Sequence, residues 1–110
     1  MGTTNSDVLQ GTLDLLILKS LSPGPMHGWA VAQRIRQLSA DALQVNQGSL
    51  YPALHRLEYR GWITAQWGAS ENNRRAKFYR VTQKGRKQLA IEMEQWRRFA
   101  NGVELVLAAD

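Results

Sequence analysis

Apolar side chains in the first half of the chain recur every three or four residues, which is the spacing of amphipathic helices. The pattern predicts helices over about residues 8–21, 27–39 and 47–60. The first of these carries apolar residues on more than one side, so we expect it to contact two neighbours. The segment 22–25 contains two prolines and ends the first helix, because proline lacks a backbone N–H and moves the preceding residue out of the helical region.

The third helix contains a proline, Pro52, which a helix tolerates only near its start, where the missing N–H has no intrahelical partner. We therefore expect this helix to begin near residues 46–49, with Asn46 or Ser49 as its N-cap. Gly61 is expected to end it, because glycine readily adopts the left-handed conformation that follows many helices.

A hairpin is expected after the third helix. Ile63, Ala65 and Trp67 alternate with polar or small residues, which predicts a half-buried strand. A second strand is expected from Ala76 to Thr82, with a polar segment from Gly68 to Arg75 before it. The two strands would therefore be joined by a polar, basic tip.

The last predicted helix covers about residues 83–108, with Thr82 as its N-cap. Its apolar residues are spaced alternately by four and three positions, as in a heptad repeat. This stripe consists of Leu89, Met93, Trp96, Ala100, Val103 and Leu107. A helix of about 26 residues is about 39 Å long, more than a domain of this size can cover with its own side chains. We therefore favour dimerisation through the stripe over packing on the helix's own domain.

The positive charge of the chain is concentrated in one segment. The 110 residues carry a net charge of +5, and residues 56–87 contain nine Lys and Arg against two Asp and Glu. A basic cluster is either a solvated surface or a site for a polyanion, and its confinement to one segment favours the second interpretation. Double-stranded DNA is the partner that we expect.

Several classes of protein are excluded by what the sequence lacks. The length supports one domain, and the absence of cysteine excludes disulfides, cysteine–zinc sites and thiol catalysis. The sequence has no glycine-rich phosphate loop, nucleophile motif or histidine cluster, so we expect no enzymatic activity, no metal and no cofactor. The apolar runs are too short to span a membrane, so we expect no membrane partner and a cytoplasmic location.

Three helices followed by a two-stranded hairpin is the element order of a winged helix-turn-helix, an α+β fold that is mainly helical. The sequence predicts a flexible N-terminal tail over residues 1–7, a winged helix-turn-helix over 8–82 and a C-terminal dimerisation helix over 83–110. In such domains the third helix enters the major groove of DNA and the hairpin, or wing, reaches the adjoining backbone. Small α+β domains with other roles share this order, so the residues themselves must support the function.

Four segments of the chain carry a family resemblance. They are Gly11–Leu18 (GTLDLLIL), Gly24–Trp29 (GPMHGW), Gly48–Glu58 (GSLYPALHRLE) and Phe78–Gly85 (FYRVTQKG). In this order they closely resemble the PadR family of bacterial transcriptional regulators, over about residues 9–89. The resemblance implies a homodimeric, DNA-binding repressor whose C-terminal helix mediates dimerisation and which a small molecule often releases from its operator. The chain looks like a short form with a single C-terminal helix.

The outward face of the third helix is the surface that we expect to contact DNA. With the apolar residues of this helix turned inward, its outer face and shoulders carry Gln47, Gly48, Ser49, Tyr51, Pro52, His55 and Arg56. Gln47 offers an amide to adenine, and Ser49 and Tyr51 offer hydroxyl groups to phosphates or base edges. Gly48 lets a phosphate approach the helix N-terminus. The structural alternatives are partial core packing for Tyr51 and a turn requirement for Gly48.

The hairpin tip supplies a second set of candidate contacts. Arg74, Arg75 and Lys77 are expected to contact phosphates or the minor groove, adding affinity and salt dependence rather than sequence preference. A solvated loop would carry the same charges. His27, directly before the second helix, is expected to bond to the start of that helix rather than to bind a metal.

Trp96 has two interpretations. In a two-fold dimer it would face the Trp96 of the second subunit and form an aromatic-walled slot for a planar small molecule. Alternatively, it is part of an ordinary interface core. A small-molecule effector is therefore a candidate partner besides DNA and a second copy of the chain.

The main alternative function is a winged-helix protein-interaction module without specific DNA binding. The basic segment argues against it, because a protein-binding wing has no need of clustered arginine. The two functions differ in the salt dependence that they predict. RNA binding is a weaker variant, since the chain lacks the aromatic sheet surface and the GXXG loop of common RNA-binding modules.

Overall fold

The computed structural model describes the backbone of residues 5–69 and 72–110, and the side chains from residue 12 onward. It contains the predicted succession of three helices, a hairpin and a long last helix. In chain order the elements are α1 (Asn5–Leu21), β1 (Met26–His27), α2 (Gly28–Leu38), α3 (Gln47–Tyr59), β2 (Ile63–Ala69), β3 (Arg75–Val81) and α4 (Gln83–Leu107). The described residues form four helices and one antiparallel sheet, which confirms the winged helix-turn-helix prediction.

Helix α1 is longer at its start than its apolar pattern predicts. It begins at Asn5 rather than near residue 8, so the predicted tail of residues 1–7 overlaps the helix at 5–7. Residues 1–4 lie outside the described part of the chain. Helix α1 packs against α2, α3 and α4, which confirms that it has more than one buried side.

The sheet has three strands, so the prediction of a two-stranded wing was incomplete. The strand order is β1–β3–β2, and both pairs are antiparallel. Strand β1 consists of Met26 and His27, which pair with Tyr79 and Phe78 of β3. A two-residue strand has no alternating pattern that sequence reasoning can recognise. Its effect is to fix the start of α2 to the base of the wing.

Strands β2 and β3 form the hairpin, in a register that runs from Ile63↔Val81 to Ala69↔Arg75. Residues 70 and 71, within the predicted polar segment, lie outside the described residues. We call the sheet face that continues from the core the inner face of the wing. From the core towards the tip, its cross-strand pairs are Ile63↔Val81, Ala65↔Tyr79, Trp67↔Lys77 and Ala69↔Arg75. The opposite, outer face carries Thr64↔Arg80 and Gln66↔Phe78.

The hydrophobic core lies between the first three helices and the base of the wing. Leucines of α1 and α3 make up much of it, together with Val31 and Ile35 of α2 and, from the sheet, Ile63, Tyr79 and Val81. Leu89 of α4 is also buried in this core, with 8% of its surface exposed. Leu89 was predicted to lie at a dimer interface, but it is already covered within one chain.

A capping motif at Gly61 ends α3 and leads directly into β2. Gly61 adopts a left-handed φ of 77°, and the N–H of Trp62 donates to the carbonyl of Leu57 at 3.0 Å. The N–H of Gly61 donates to the carbonyl of Glu58, also at 3.0 Å. These two bonds define a Schellman motif, which glycine favours because it has no Cβ to hinder the left-handed conformation.

The start of α4 is bound to that same turn. The hydroxyl of Thr82 donates to the carbonyl of Gly61 at 2.8 Å and accepts from the N–H of Gly85 at 2.9 Å, as an N-cap does. A Cβ on Gly85 would overlap the carbonyl oxygen of Trp62 and lie 2.8 Å from a methyl group of Val81. Glycine at position 85 therefore allows α4 to lie directly against the backbone that ends α3.

Helix α4 covers the body with its first half and extends beyond it with its second. The first half packs against α1, and Arg86 Nη2 donates to the carbonyl of Ser22 at 3.2 Å. Its second half gives the molecule an elongated outline of 57 × 31 × 22 Å. Among the described residues, no helix is long and apolar enough to cross a membrane.

Candidate nucleic-acid interface

Helix α3 is held by a defined cap and a buried apolar side. Asn46 is the N-cap, and its Oδ1 accepts from the N–H of Ser49 at 2.9 Å. Pro52 is the sixth residue of the helix, beyond the first turn, in which a proline costs no helical hydrogen bond. Its missing N–H removes the usual helical donor to the Gly48 carbonyl, four residues earlier, and both residues are solvent-exposed.

The outward side of α3 contains most of the predicted DNA-contact residues. Gln47, Gly48, Tyr51, Pro52 and His55 are all exposed. Tyr59, which is not among the predicted contacts, is 92% exposed and lies on the same side. Its position could have been predicted from the sequence, because residues 48, 52, 55 and 59 follow the four- and three-residue spacing of one helical face. The inward residues are Leu50, Ala53, Leu54 and Leu57, as expected.

Tyr51 contributes both to the surface and to helix packing. A Cβ on Gly28 would lie 3.0 Å from Tyr51 Cε1 and 3.2 Å from a methyl group of Leu54. Gly28, the first residue of α2, therefore lets the two helices of the helix-turn-helix approach closely. Gly48 has no positive φ, so a turn requirement does not explain the glycine at that position.

Arg56 was predicted to meet DNA, but its guanidinium is bound within the protein. Its Nη2 lies 2.6 Å from Asp14 Oδ1 of α1, and both side chains are partly buried. A charge-assisted bond of this kind fixes α3 against α1. Arg56 therefore holds α3 in position on α1.

Lys77 likewise bonds inside the molecule rather than at the wing surface. Its Nζ lies 3.5 Å from Glu58 Oε1 of α3 and 5.6 Å from the ring centre of Tyr79. Burial raises the pKa of the Tyr79 hydroxyl above its usual value; the charge of Lys77 opposes this shift and that of Glu58 adds to it. Lys77 therefore joins the inner face of the wing to α3 and places a positive charge beside Glu58.

The wing tip retains two exposed arginines, Arg74 and Arg75. Asn73 has a left-handed φ of 58°, a conformation that asparagine tolerates better than most residues. The guanidinium of Arg75 lies over the ring of Trp67, 5.1 Å from its centre. Trp67 itself is 56% exposed. The tip therefore presents a stacked Arg–Trp pair that charge counting did not predict.

His27 has the local role that its position predicts. It is the N-cap of α2, and its Nδ1 accepts from the N–H of Ala30 at 3.2 Å. Its ring also meets Phe78 edge to face, with ring centres 5.7 Å apart. His27 therefore orients the start of α2 against the sheet.

The predicted dimer stripe on α4 divides into two parts. Leu89 is buried and Met93 packs partly against the core, so these two residues serve the chain's own domain. Further along the stripe, Trp96, Val103 and Leu107 are exposed, and Ala100 is partly so. Phe99, Val106 and other large apolar residues widen this exposed surface. The rings of Trp96 and Phe99 lie 5.9 Å apart and tilted by 38°.

Comparisons with known proteins agree with this arrangement. The model of the transcriptional regulator PadR-like family matches residues 17–91, from within α1 to the first half of α4. A solved transcriptional regulator from Clostridium thermocellum is 30% identical, with 90% of this chain and 96% of that chain covered and a TM-score of 0.81. A PadR-like regulator from Bacillus cereus is 27% identical, with coverages of 96% and 100% and a TM-score of 0.80.

A PadR family regulator from Eggerthella lenta is 28% identical, with 94% of this chain and 88% of that chain covered and a TM-score of 0.77. The family match spans most of the chain, and the structural similarity extends to the long last helix. The relatives named by these comparisons are regulators of transcription. The chain belongs to the PadR-like family of transcriptional regulators, which are DNA-binding proteins and not enzymes.

Proposed function

We propose that the protein is a homodimeric repressor that binds a pseudo-palindromic operator. The observation that supports this most strongly is the pairing of two exposed surfaces on one chain: the outward side of α3 and the apolar second half of α4. The first suits the major groove of DNA, and the second suits another copy of the same helix. As a regulator of transcription, the protein would act in the cytoplasm.

The apolar surface of α4 is the basis for the proposed dimer. Trp96 is 43% exposed and Phe99 is 64% exposed, on a helix that extends beyond its own domain. Aromatic side chains are the residues that interfaces bury most often, and contiguous exposed apolar patches mark binding surfaces. A two-fold dimer would cover Trp96, Ala100, Val103 and Leu107 of both copies.

The dimer predicts the geometry of the operator. Two α3 helices related by a two-fold axis would enter successive major grooves on one side of the duplex, so the half-sites should be about 10 base pairs apart or a multiple of this. A cleavage-protection footprint on the operator should therefore have two-fold symmetry. A footprint without symmetry would contradict the dimeric mode of binding.

The Trp96–Phe99 pair supports an effector hypothesis within the same proposal. At the two-fold axis, the aromatic rings of two subunits would form the walls of a slot for a planar aromatic compound, which would alter the α4 pair and release the operator. Addition of flat aromatic compounds should quench tryptophan fluorescence in the wild type and leave it unchanged in Trp96→Leu. If Trp96 is interface core alone, the two proteins will respond alike.

The proposal is tested by binding the purified protein to labelled DNA from upstream of its own gene, at several salt concentrations, with random DNA as competitor. We expect tight binding that resists the competitor and weakens steeply with salt, by a slope of about 0.9 per phosphate contact. To include operators elsewhere, the same protein is used to select duplexes from a random library. Failure to enrich any sequence would overturn specific DNA binding and favour the protein-interaction module.

A further inference from the structure

The inner face of the wing changes character along its length. At its base, Ile63 and Val81 are buried in the core. Towards the tip, the face carries Trp67 with Lys77 directly opposite, and then Arg75. The indole of Trp67 is more than half exposed, and the guanidinium of Arg75 lies over it at 5.1 Å. The indole therefore gains little from the core and presents an aromatic surface near the wing tip.

Trp62, at the other end of the wing, provides an internal comparison. It also lies beneath an arginine, with Arg60 at 5.1 Å from the ring centre. Trp62, however, packs against the hydrophobic core, and its backbone supports the start of α4. Core packing therefore explains Trp62 and leaves Trp67 unexplained.

The Trp67–Arg75 pair lies on the side of the wing that faces α3. The ion pair between Lys77 and Glu58 connects this same face to α3, and Lys77 is the cross-strand neighbour of Trp67. With α3 in the major groove and the wing at the next groove, the sugar–phosphate strand that separates the two grooves would pass between these elements. At this surface, the positive charge of Lys77 neutralises the negative charge of Glu58.

We propose that Trp67 and Arg75 form a clamp for that sugar–phosphate strand. The guanidinium of Arg75 binds a phosphate oxygen, and the indole of Trp67 holds the guanidinium in place and covers the adjacent deoxyribose. A stacked guanidinium keeps its hydrogen-bonding edge free, so the phosphate contact needs little further ordering of the side chain. The inference rests on the proposed DNA binding and adds to it a specific backbone contact and a role for Trp67.

The test uses operator duplexes in which single phosphates are replaced, one at a time, by uncharged methylphosphonates. For the wild type, at least one substitution between the major-groove and wing contacts should weaken binding. For Arg75→Ala, that substitution should have no further effect, and the salt slope should fall by about 0.9. Trp67→Leu should weaken operator binding by about three- to tenfold and reduce the same substitution effect, with the salt slope retained.

The matched control is Arg80→Ala, which removes the same charge from the outer face of β3. It should retain the full sensitivity of the wild type to the methylphosphonate. Arg75→Lys keeps the charge without the flat guanidinium, and should recover the salt slope but not the full affinity. Circular dichroism and thermal melting identify any variant that fails to fold.

The outcomes separate the clamp from the general function. The clamp is overturned if the wild type binds its operator and Arg75→Ala is still weakened by the same methylphosphonate. It is also overturned if Trp67→Leu binds the operator as tightly as the wild type; in both cases the proposed regulator function stands. If the wild type selects no DNA sequence at all, the proposed function fails first. Equal losses in Arg75→Ala and Arg80→Ala would indicate a diffuse charge effect and would also overturn the clamp.

Discussion

At the scale of single residues, the role of a basic side chain depends on whether an acidic side chain of the same chain lies beside it. Arg56 and Lys77 lie in the basic segment that suggests DNA binding, but they pair with Asp14 and Glu58. Asp14 is 42 residues away from Arg56 along the chain, and no local pattern reveals such a partner. Charge counting therefore located the basic region but did not show which of its residues pair with acids of the same chain.

Tyr79 should make stability fall at alkaline pH. Burial raises the pKa of its hydroxyl above 10.0, so the folded protein holds the proton more tightly than the unfolded chain does. The resulting stabilisation is present below pH 10 and is lost as the pH rises through the higher, folded-state pKa. Tyr79→Phe removes this titration, and we expect its free energy of unfolding, measured by urea denaturation between pH 8 and about 11, to decline less than that of the wild type. A decline of equal steepness would contradict the assignment.

Ala40 should be a stabilising site for glycine. It follows α2 with a φ of 52°, which brings its Cβ close to its own backbone, and its N–H completes the helix end by donating to the carbonyl of Gln37. Ala40→Gly should raise the free energy of unfolding by about 0.5–1 kcal/mol, the relief of strain exceeding the extra entropy of the unfolded chain. Ala42→Gly serves as control, because Ala42 has no positive φ and should lose stability.

At the scale of elements, the long periodic segments were predictable and the shortest element was not. The helices, both hairpin strands and the stop at Gly61 follow from apolar spacing and glycine chemistry. The exception is β1, whose two residues become a strand only because Tyr79 and Phe78 of β3 lie beside them. The candidate site followed the same rule: the α3 surface was predictable from periodicity, whereas the stacking of Arg75 on Trp67 depends on hairpin register.

The contact between α4 and the end of α3 predicts opposite effects for two glycines of the same helix. Gly85→Ala places a Cβ against the carbonyl of Trp62, so we expect a loss of more than about 2 kcal/mol in the free energy of unfolding. A Cβ at Gly102 meets nothing within 4 Å, and Gly102→Ala should gain up to about 1 kcal/mol from helix propensity. Thermal unfolding of both variants is the measurement, and similar values for the two would contradict the close approach at Gly85.

At the scale of the whole molecule, one side of α4 has two consecutive roles. Its first half completes the core of its own domain, and its second half leaves the same side uncovered. The heptad repeat is continuous across both halves, so the sequence alone did not show where intramolecular packing ends. That boundary, between Met93 and Trp96, depends on how far the body of the domain extends along the helix.

Charges placed on the uncovered half should dissociate the proposed dimer. Trp96→Glu combined with Val103→Glu would bury two carboxylates per chain, and we expect a monomer in sedimentation velocity that loses operator affinity together with its partner. Asn101→Glu is the matched control, since its spacing from Val103 places it on the far side of the helix. A double variant that still sediments as a dimer would contradict the position of the interface.

The close contact of Gly85 with Trp62 couples the tilt of α4 to the position of the end of α3. The backbones are in direct contact there, so a tilt of α4 would displace the end of α3, because no flexible side chain lies between them. A helix of 25 residues is about 37 Å long, and a tilt of about 5° moves its end by about 3 Å. This displacement is close to the rise of one base pair, about 3.4 Å. In the proposed dimer, a small rotation of α4 that leaves both cores intact would therefore change the spacing of the two α3 helices. They would then no longer match successive major grooves of the duplex.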